Sequence, residues 1–247
     1  MAVSPARAAA FEILLRVERD ESYASELLHS ARLAKLSSRD HGLATELVMG
    51  VLRWRSLLDQ RLASASSQPL EGIDPEVLAA LRLGIYQLQF LSRVPPRAAI
   101  FESVELVKAA RKRSAASFVN AILRKTEQST AERALEAIKH CPDAARLALS
   151  SAHPEWLVAR WVERYGFATA RAICEYDQTV PTTVIHIHDD RFEKELIQAG
   201  IQLSPGALLS SARRVIVERR VSRKPALSAV EGSSRAGTPG SPLARRH

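Results

Sequence analysis

Apolar residues recur at spacings of three and four through most of the first 140 positions, the period of helices with one buried face. Ser4-Pro5 sets a capping hydroxyl before a proline at the first helical position, where its missing N–H costs nothing. Ala8, Phe11, Leu14, Leu15 and Glu18 continue on that spacing. A second helix is predicted over about 23–36, with Leu27, Leu28 and Ala31 inward. After Ser38 the stripe Leu43, Leu47, Val51, Trp54, Leu58 and Leu62 predicts one long helix, in which Gly50 would let a neighbouring helix approach closely. Asp74-Pro75 repeats the cap-plus-proline start, followed by Val77, Leu78, Leu81, Ile85, Leu88 and Leu91. Pro95-Pro96 breaks that helix. Helices then follow over about 97–111, carrying Ile100, Val104 and Val107, and from Ser114, carrying Phe118, Val119, Ile122 and Leu123. A weaker amphipathic segment runs over 130–138. With no strand pattern in this stretch, the expected class is mainly α, an all-helical bundle.

The pattern changes after Cys141-Pro142. His153-Pro154 introduces a helix to about Tyr165, and a second reaches Asp177. The run 180–188 alternates like a strand, 192–199 reads as a helix and 215–217 as a short strand. One or two strands cannot close a sheet with a usable core, so 141–221 reads as an incomplete α+β segment. Residues 222–247 hold five Ser, three Gly and three Pro without periodicity, and disorder is expected there. Their abrupt departure from what precedes them suggests a frameshifted or truncated end.

Composition adds limits. No apolar run approaches the ~20 residues of a membrane span, and Met1 to Arg7 lacks the layout of a secretory signal. Two cysteines, Cys141 and Cys174, make no disulfide framework and fit a reducing compartment, the cytoplasm. The net charge is +8, unevenly spread. Residues 1–96 are balanced, whereas 97–125 hold seven basic and two acidic side chains, and 213–247 hold nine and two. Only the first of these excesses lies in a segment that reads as folded. Lys108, Arg111, Lys112, Arg113, Arg124 and Lys125 flank one inter-helix loop and could neutralise several RNA phosphates, although a solvated helix end would look similar. Arg7, Arg53 and Arg55 could extend that surface, or be snorkelling edge residues.

Three stretches, in order and spacing, resemble the NusB-like front domain of the RsmB (Sun/Fmu) family of 16S ribosomal-RNA cytosine-C5 methyltransferases. They are 40–53, ending Leu47-Val48-Met49-Gly50-Val51-Leu52-Arg53; Leu81-Arg82-Leu83-Gly84-Ile85-Tyr86-Gln87-Leu88, leading through Arg93-Val94-Pro95 to Ala98, Glu102 and Val104-Glu105-Leu106; and Phe118-Val119-Asn120-Ala121-Ile122-Leu123-Arg124. Ser151-Ala152-His153-Pro154-Glu155-Trp156-Leu157 looks like the lead-in to the methyltransferase module, which a free NusB factor lacks. The resemblance covers about 5–205 and departs where Ile185-His186-Ile187-His188 replaces the family's Arg-Val-Asn strand, so no RNA contact is carried over there.

The resemblance implies an RNA-binding domain over 1–140, a partial lead-in over 141–221 and small-subunit ribosomal RNA as partner, with no DNA and no membrane. The intact family uses S-adenosylmethionine on a glycine-rich Rossmann-type loop and two cysteines in Pro-Cys and Thr-Cys contexts. Cys141 precedes its proline, Cys174 lies on a helix, and Gly200, Gly206, Gly232, Gly237 and Gly240 stand outside any strand-loop-helix context. No cofactor is therefore expected on this chain, no catalytic residue is assigned, and no methyl transfer is expected from it alone. A second reading is a NusB-like antitermination module that binds RNA together with a ribosomal protein. Asn120 reads as structural, bonding a neighbouring loop, and Trp54, Trp156 and Trp161 as packing residues. His186 and His188 lack an evident third ligand, and no metal site is assigned.

Overall fold

A computed structural model of the chain describes residues 3–20, 22–31, 33–127, 138–179 and 182–216. The segment 130–138 and the stretch 222–247 therefore lie largely or wholly outside the described residues.

The helices are α1 (Pro5–Asp20), α2 (Ala24–Leu28), α3 (Ser38–Arg53), α4 (Arg55–Ala65), α5 (Pro75–Phe90), α6 (Pro96–Ala109) and α7 (Ala116–Glu127), then α8 (Ala144–Ser150), α9 (Glu155–Tyr165), α10 (Phe167–Asp177) and α11 (Asp190–Gln198). Three strands, β1 (Val184–His186), β2 (Gln202–Pro205) and β3 (Ala212–Ile216), complete the described elements. The mainly helical class and the bundle of α1–α7 match the sequence reading.

Two boundaries differ. The helix expected over 23–36 ends at Leu28 and resumes only as a 3₁₀ turn, Leu33–Lys35, with Ala31 exposed. The long helix expected after Ser38 breaks at Trp54, whose backbone (φ −100°, ψ 12°) leaves the helical region. Trp54 is buried against Phe90, ring centroids 4.9 Å apart. Bending there lets Leu57, Leu58 and Leu62 return to the same core that Leu47 and Val51 enter.

Helix α5 is the spine of the bundle, buried on nearly every side. Three of its polar residues are engaged by neighbouring helices. Arg82 grips Asp59 bidentately at 2.7 and 2.9 Å, the Tyr86 hydroxyl donates to Glu46 at 2.6 Å, and Gln87 accepts from Arg7 at 2.6 Å. A Cβ on Gly50 would sit 2.0 Å from the Tyr86 ring, so α3 and α5 can meet only at glycine. Gly84 similarly admits Leu123 and Ser103.

A second, smaller core of Ile138, Cys141, Leu147, Ala148, Val158, Ala170 and Cys174 joins α8–α10. Burial pushes the Cys174 thiol above its ordinary value. The last unit is a three-stranded antiparallel sheet in the order β1-β3-β2, one strand more than the sequence indicated. Its register sets Ile185 opposite Arg213 and Leu203 opposite Val215. The missed strand, β2, carries Pro205, tolerated because β2 lies at the sheet edge.

Candidate nucleic-acid interface

The helices α6 and α7 form an antiparallel hairpin, and its turn is built by a specific helix ending. Lys112 N–H donates to the Val107 carbonyl and Arg111 N–H to that of Lys108, the paired bonds of a Schellman motif. The residue in the left-handed position is Arg111, φ 62°, where glycine would be unstrained. A 3₁₀ turn, Arg113–Ala115, then leads into α7.

The nine basic residues expected at an RNA surface do not share one face. Arg7 is removed from it. Its guanidinium is buried, donates to Glu102 at 3.0 Å and to Gln87 at 2.6 Å, and burial holds its pKa below the ordinary value while Glu102 opposes that fall. With Ser4 donating to Glu102 at 2.6 Å, it is a buried tie between α1, α5 and α6. Arg55 pairs with Glu18 at 2.6 Å, and Arg53 donates to the Thr179 carbonyl at 3.3 Å, at the junction with the second unit. Lys125 donates to the Ala65 carbonyl at the end of α4. Lys112 reaches Asp74 at 3.1 Å.

The exposed remainder lies on the hairpin: Arg111 and Arg113 at its turn, and Lys108 and Arg124 along its length. Arg97, at the start of α6, joins them and was not singled out by the sequence reading. Among the described residues, Arg97, Arg111 and Arg113 enter no ion pair, in contrast to the paired arginines of the bundle interior. Lys108 shares Glu105 at 2.7 Å.

Between α6 and α7 runs a groove of about 520 Å³ whose margins hold Arg97, Lys108 and Arg124. Its floor includes Phe101, 43% exposed, and Val104, half-buried. Sequence reasoning missed Phe101, but a signal was present. The buried stripe of α6 is Ile100, Ser103, Leu106 and Val107, whereas Phe101 stands on the same helical face as Arg97, Glu105 and Lys108. Asn120, expected to bond a neighbouring loop, instead lines this groove, its Oδ1 accepting from Arg124 Nε at 3.3 Å. Trp54 packs as expected and Trp161 meets His153 edge-on, whereas Trp156 is 66% exposed.

The phrase 151–157 is a structural corner. Ala152 takes φ 57° at the end of α8, the Ser151 hydroxyl donates to Leu147, and Gln178 donates to the Ser151 carbonyl. His186 and His188 come within 3.1 Å, nitrogen to nitrogen, and Ser211 lies 2.5 Å from His186. Among the described residues no group of three or more metal-type ligands gathers.

These residues do not fit S-adenosylmethionine. The sheet is antiparallel, Gly200 (φ 83°) ends α11, and Gly206 is packed against Ala212. Neither glycine opens a strand-to-helix loop of the kind that admits a nucleoside cofactor. No helix among the described residues is long and apolar enough to cross a membrane.

A family model described as the NusB family matches residues 4–128. The chain is 34% identical over 213 residues to a Bacillus subtilis (strain 168) protein described as "Probable ribosomal RNA small subunit methyltransferase B", covering 84% of this chain and 47% of that one. It is 31% identical over 183 residues to ribosomal RNA small subunit methyltransferase B of Pseudomonas putida, covering 70% and 39%. The crystal structure of PH0851 aligns with a TM-score of 0.59 at 12% identity, over 87% of this chain and 49% of that one, a likeness of fold alone. The chain thus spans about half the length, or less, of the curated relatives it matches.

Proposed function

The chain belongs to the NusB family and is a relative of the ribosomal RNA small subunit methyltransferase B proteins, and from that footing we propose that its helical bundle docks onto structured small-subunit ribosomal RNA through the α6–α7 hairpin. The observation that carries this reading is the set of exposed arginines on the hairpin, Arg97, Arg111 and Arg113, left without carboxylate partners among the described residues, whereas the buried arginines of the bundle, Arg7 and Arg82, are held by carboxylates. Exposed cations without carboxylate partners suit phosphate contact, because each contact gains free energy by releasing condensed counterions.

On this reading the described residues serve RNA docking, and they offer neither a strand-to-helix cofactor loop nor cysteines in Pro-Cys or Thr-Cys contexts. The bundle would then position RNA, in the reducing cytoplasm that the chain's cysteine usage suits.

The test is anisotropy binding of the full chain to a small-subunit ribosomal-RNA fragment across a salt series. Four or five phosphate contacts predict that log K falls with log salt at a slope of about −3 to −5. R113E and R124E are expected to weaken binding and flatten that slope. Lys112 is a poor probe, because a glutamate there would face Asp74 and Glu76 and disturb the fold. Binding that ignores both reversals, or no binding, would transfer the role to a protein-partner module of the antitermination type.

A further inference from the structure

The groove between α6 and α7 combines features that a purely phosphate-binding surface does not need. Phe101 holds an aromatic ring 43% exposed in the middle of a helix whose neighbouring turns bury their apolar residues. Ile100 and Val104 extend its floor. Three cations, Arg97, Lys108 and Arg124, stand around it, against one carboxylate, Glu105, already engaged by Lys108. Asn120 reaches the same space with its oxygen taken by Arg124, while no partner among the described residues engages its amide N–H groups. The volume, about 520 Å³, falls within the ~300–1,000 Å³ typical of small-ligand sites.

We propose that this groove is a nucleotide pocket that takes one unpaired, everted RNA base, stacked on Phe101, with its backbone phosphates held by Arg97 and Arg124. The inference rests on the RNA-docking reading and names what that surface recognises. Base-paired RNA hides its ring faces and buries its major-groove edges, so an aromatic platform is useful only to a base outside the helix. Stacking supplies sequence-tolerant affinity, because every base has a π-face. The Asn120 amide can donate to a base carbonyl or ring nitrogen, and the remaining lone pairs of Glu105 can accept from an exocyclic amine. An amphipathic peptide helix fits less well, since it needs a trough for anchors over two turns, whereas the apolar floor here spans one turn inside a cationic rim.

The experiment uses the full chain and two RNA hairpins that differ only in one bulged nucleotide, which carries 2-aminopurine and is absent from the fully paired hairpin. Wild type is expected to prefer the bulged RNA and to change the 2-aminopurine emission on binding. F101A should lower affinity for the bulged RNA about five- to a hundredfold, abolish the emission change, and leave the paired RNA and the salt slope untouched, while F101Y retains binding. R113E should weaken both RNAs. Phe101 is exposed, and an unchanged melting temperature for F101A will confirm that the fold is intact. If F101A leaves the bulged RNA unaffected while R113E still weakens binding, the nucleotide pocket is wrong, RNA docking stands, and the groove passes to a protein partner. Equal losses of F101A on both RNAs also overturn the pocket. Indifference to R113E as well removes the docking reading beneath it.

Discussion

Arg111 closes the Schellman turn of α6 in a conformation that glycine adopts freely and other residues adopt at a cost of roughly 1–2 kcal/mol. Part of that cost is recovered because arginine has fewer unfolded conformations than glycine to lose. R111G should therefore stabilise the fold, raising Tm by about 1–3 °C, while weakening RNA binding several-fold through the lost cation. Opposite signs in a melting curve and a binding isotherm would mark Arg111 as kept for contact. A variant that melts lower would show the turn to be unstrained. At this scale the sequence was legible wherever a residue type has one use. Gly50 was readable as a close approach because only glycine tolerates the Tyr86 ring beside it. Arg7 was not readable, because its partners Glu102 and Gln87 stand at least 80 positions away, and a paired buried arginine looks in sequence like a surface one.

Helix α5 shows why the residues that name the family are not those that carry its chemistry. Arg82, Gly84, Tyr86 and Gln87 are each consumed by a contact with another helix, so the motif specifies how the bundle is assembled. The start of the same helix limits what the hairpin can do. Glu76, in its first turn, is partly desolvated, which would raise its pKa; its backbone hydrogen bond, the Arg19 bond and the charges of Arg19 and Lys112 outweigh this and hold the carboxyl below its ordinary value. A carboxyl lowered on folding contributes stability that is complete above its unfolded pKa, about 4.3, and is lost as pH falls through the lower folded value. E76Q should therefore melt below wild type at pH 7, with the gap closing as pH falls below about 4.3. Parallel melting curves from pH 7 to pH 3 would refute this coupling. Helix existence was readable from the three-four spacing, but the break at Trp54 was not. A stripe continues in register across a bend whenever both halves feed one core, and only the packing of Trp54 on Phe90 reveals the corner.

Across the whole molecule, burial falls steeply from the first half to the second. The bundle owns the large core, α8–α10 share a seven-residue one, and in the unit of α11 and β1–β3 Ala212 is the one buried hydrophobic residue among those described. Phe192, Ile197, Leu208 and Leu209 are all more than half exposed there. Within the unit Arg213 of β3 grips Glu193 of α11 at 2.6 and 2.9 Å, and Arg53 reaches the Thr179 carbonyl just before it. One part-buried ion pair and a three-stranded sheet offer little against opening, because local stability follows buried apolar contact. Hydrogen exchange should therefore grade along the chain, with amides of α5 and α3 last to exchange, α8–α10 intermediate, and β1–β3 with α11 first. The change to an α+β pattern after Cys141 was legible in the sequence, and its few short strands explain the sparse burial, since alternation without enough strands to cover one another cannot generate a core. If bulged RNA binds at the hairpin, its protection should appear on α6 and α7 and leave the exchange of β1–β3 unchanged. Protection spreading into the sheet would instead make the second unit part of the RNA surface.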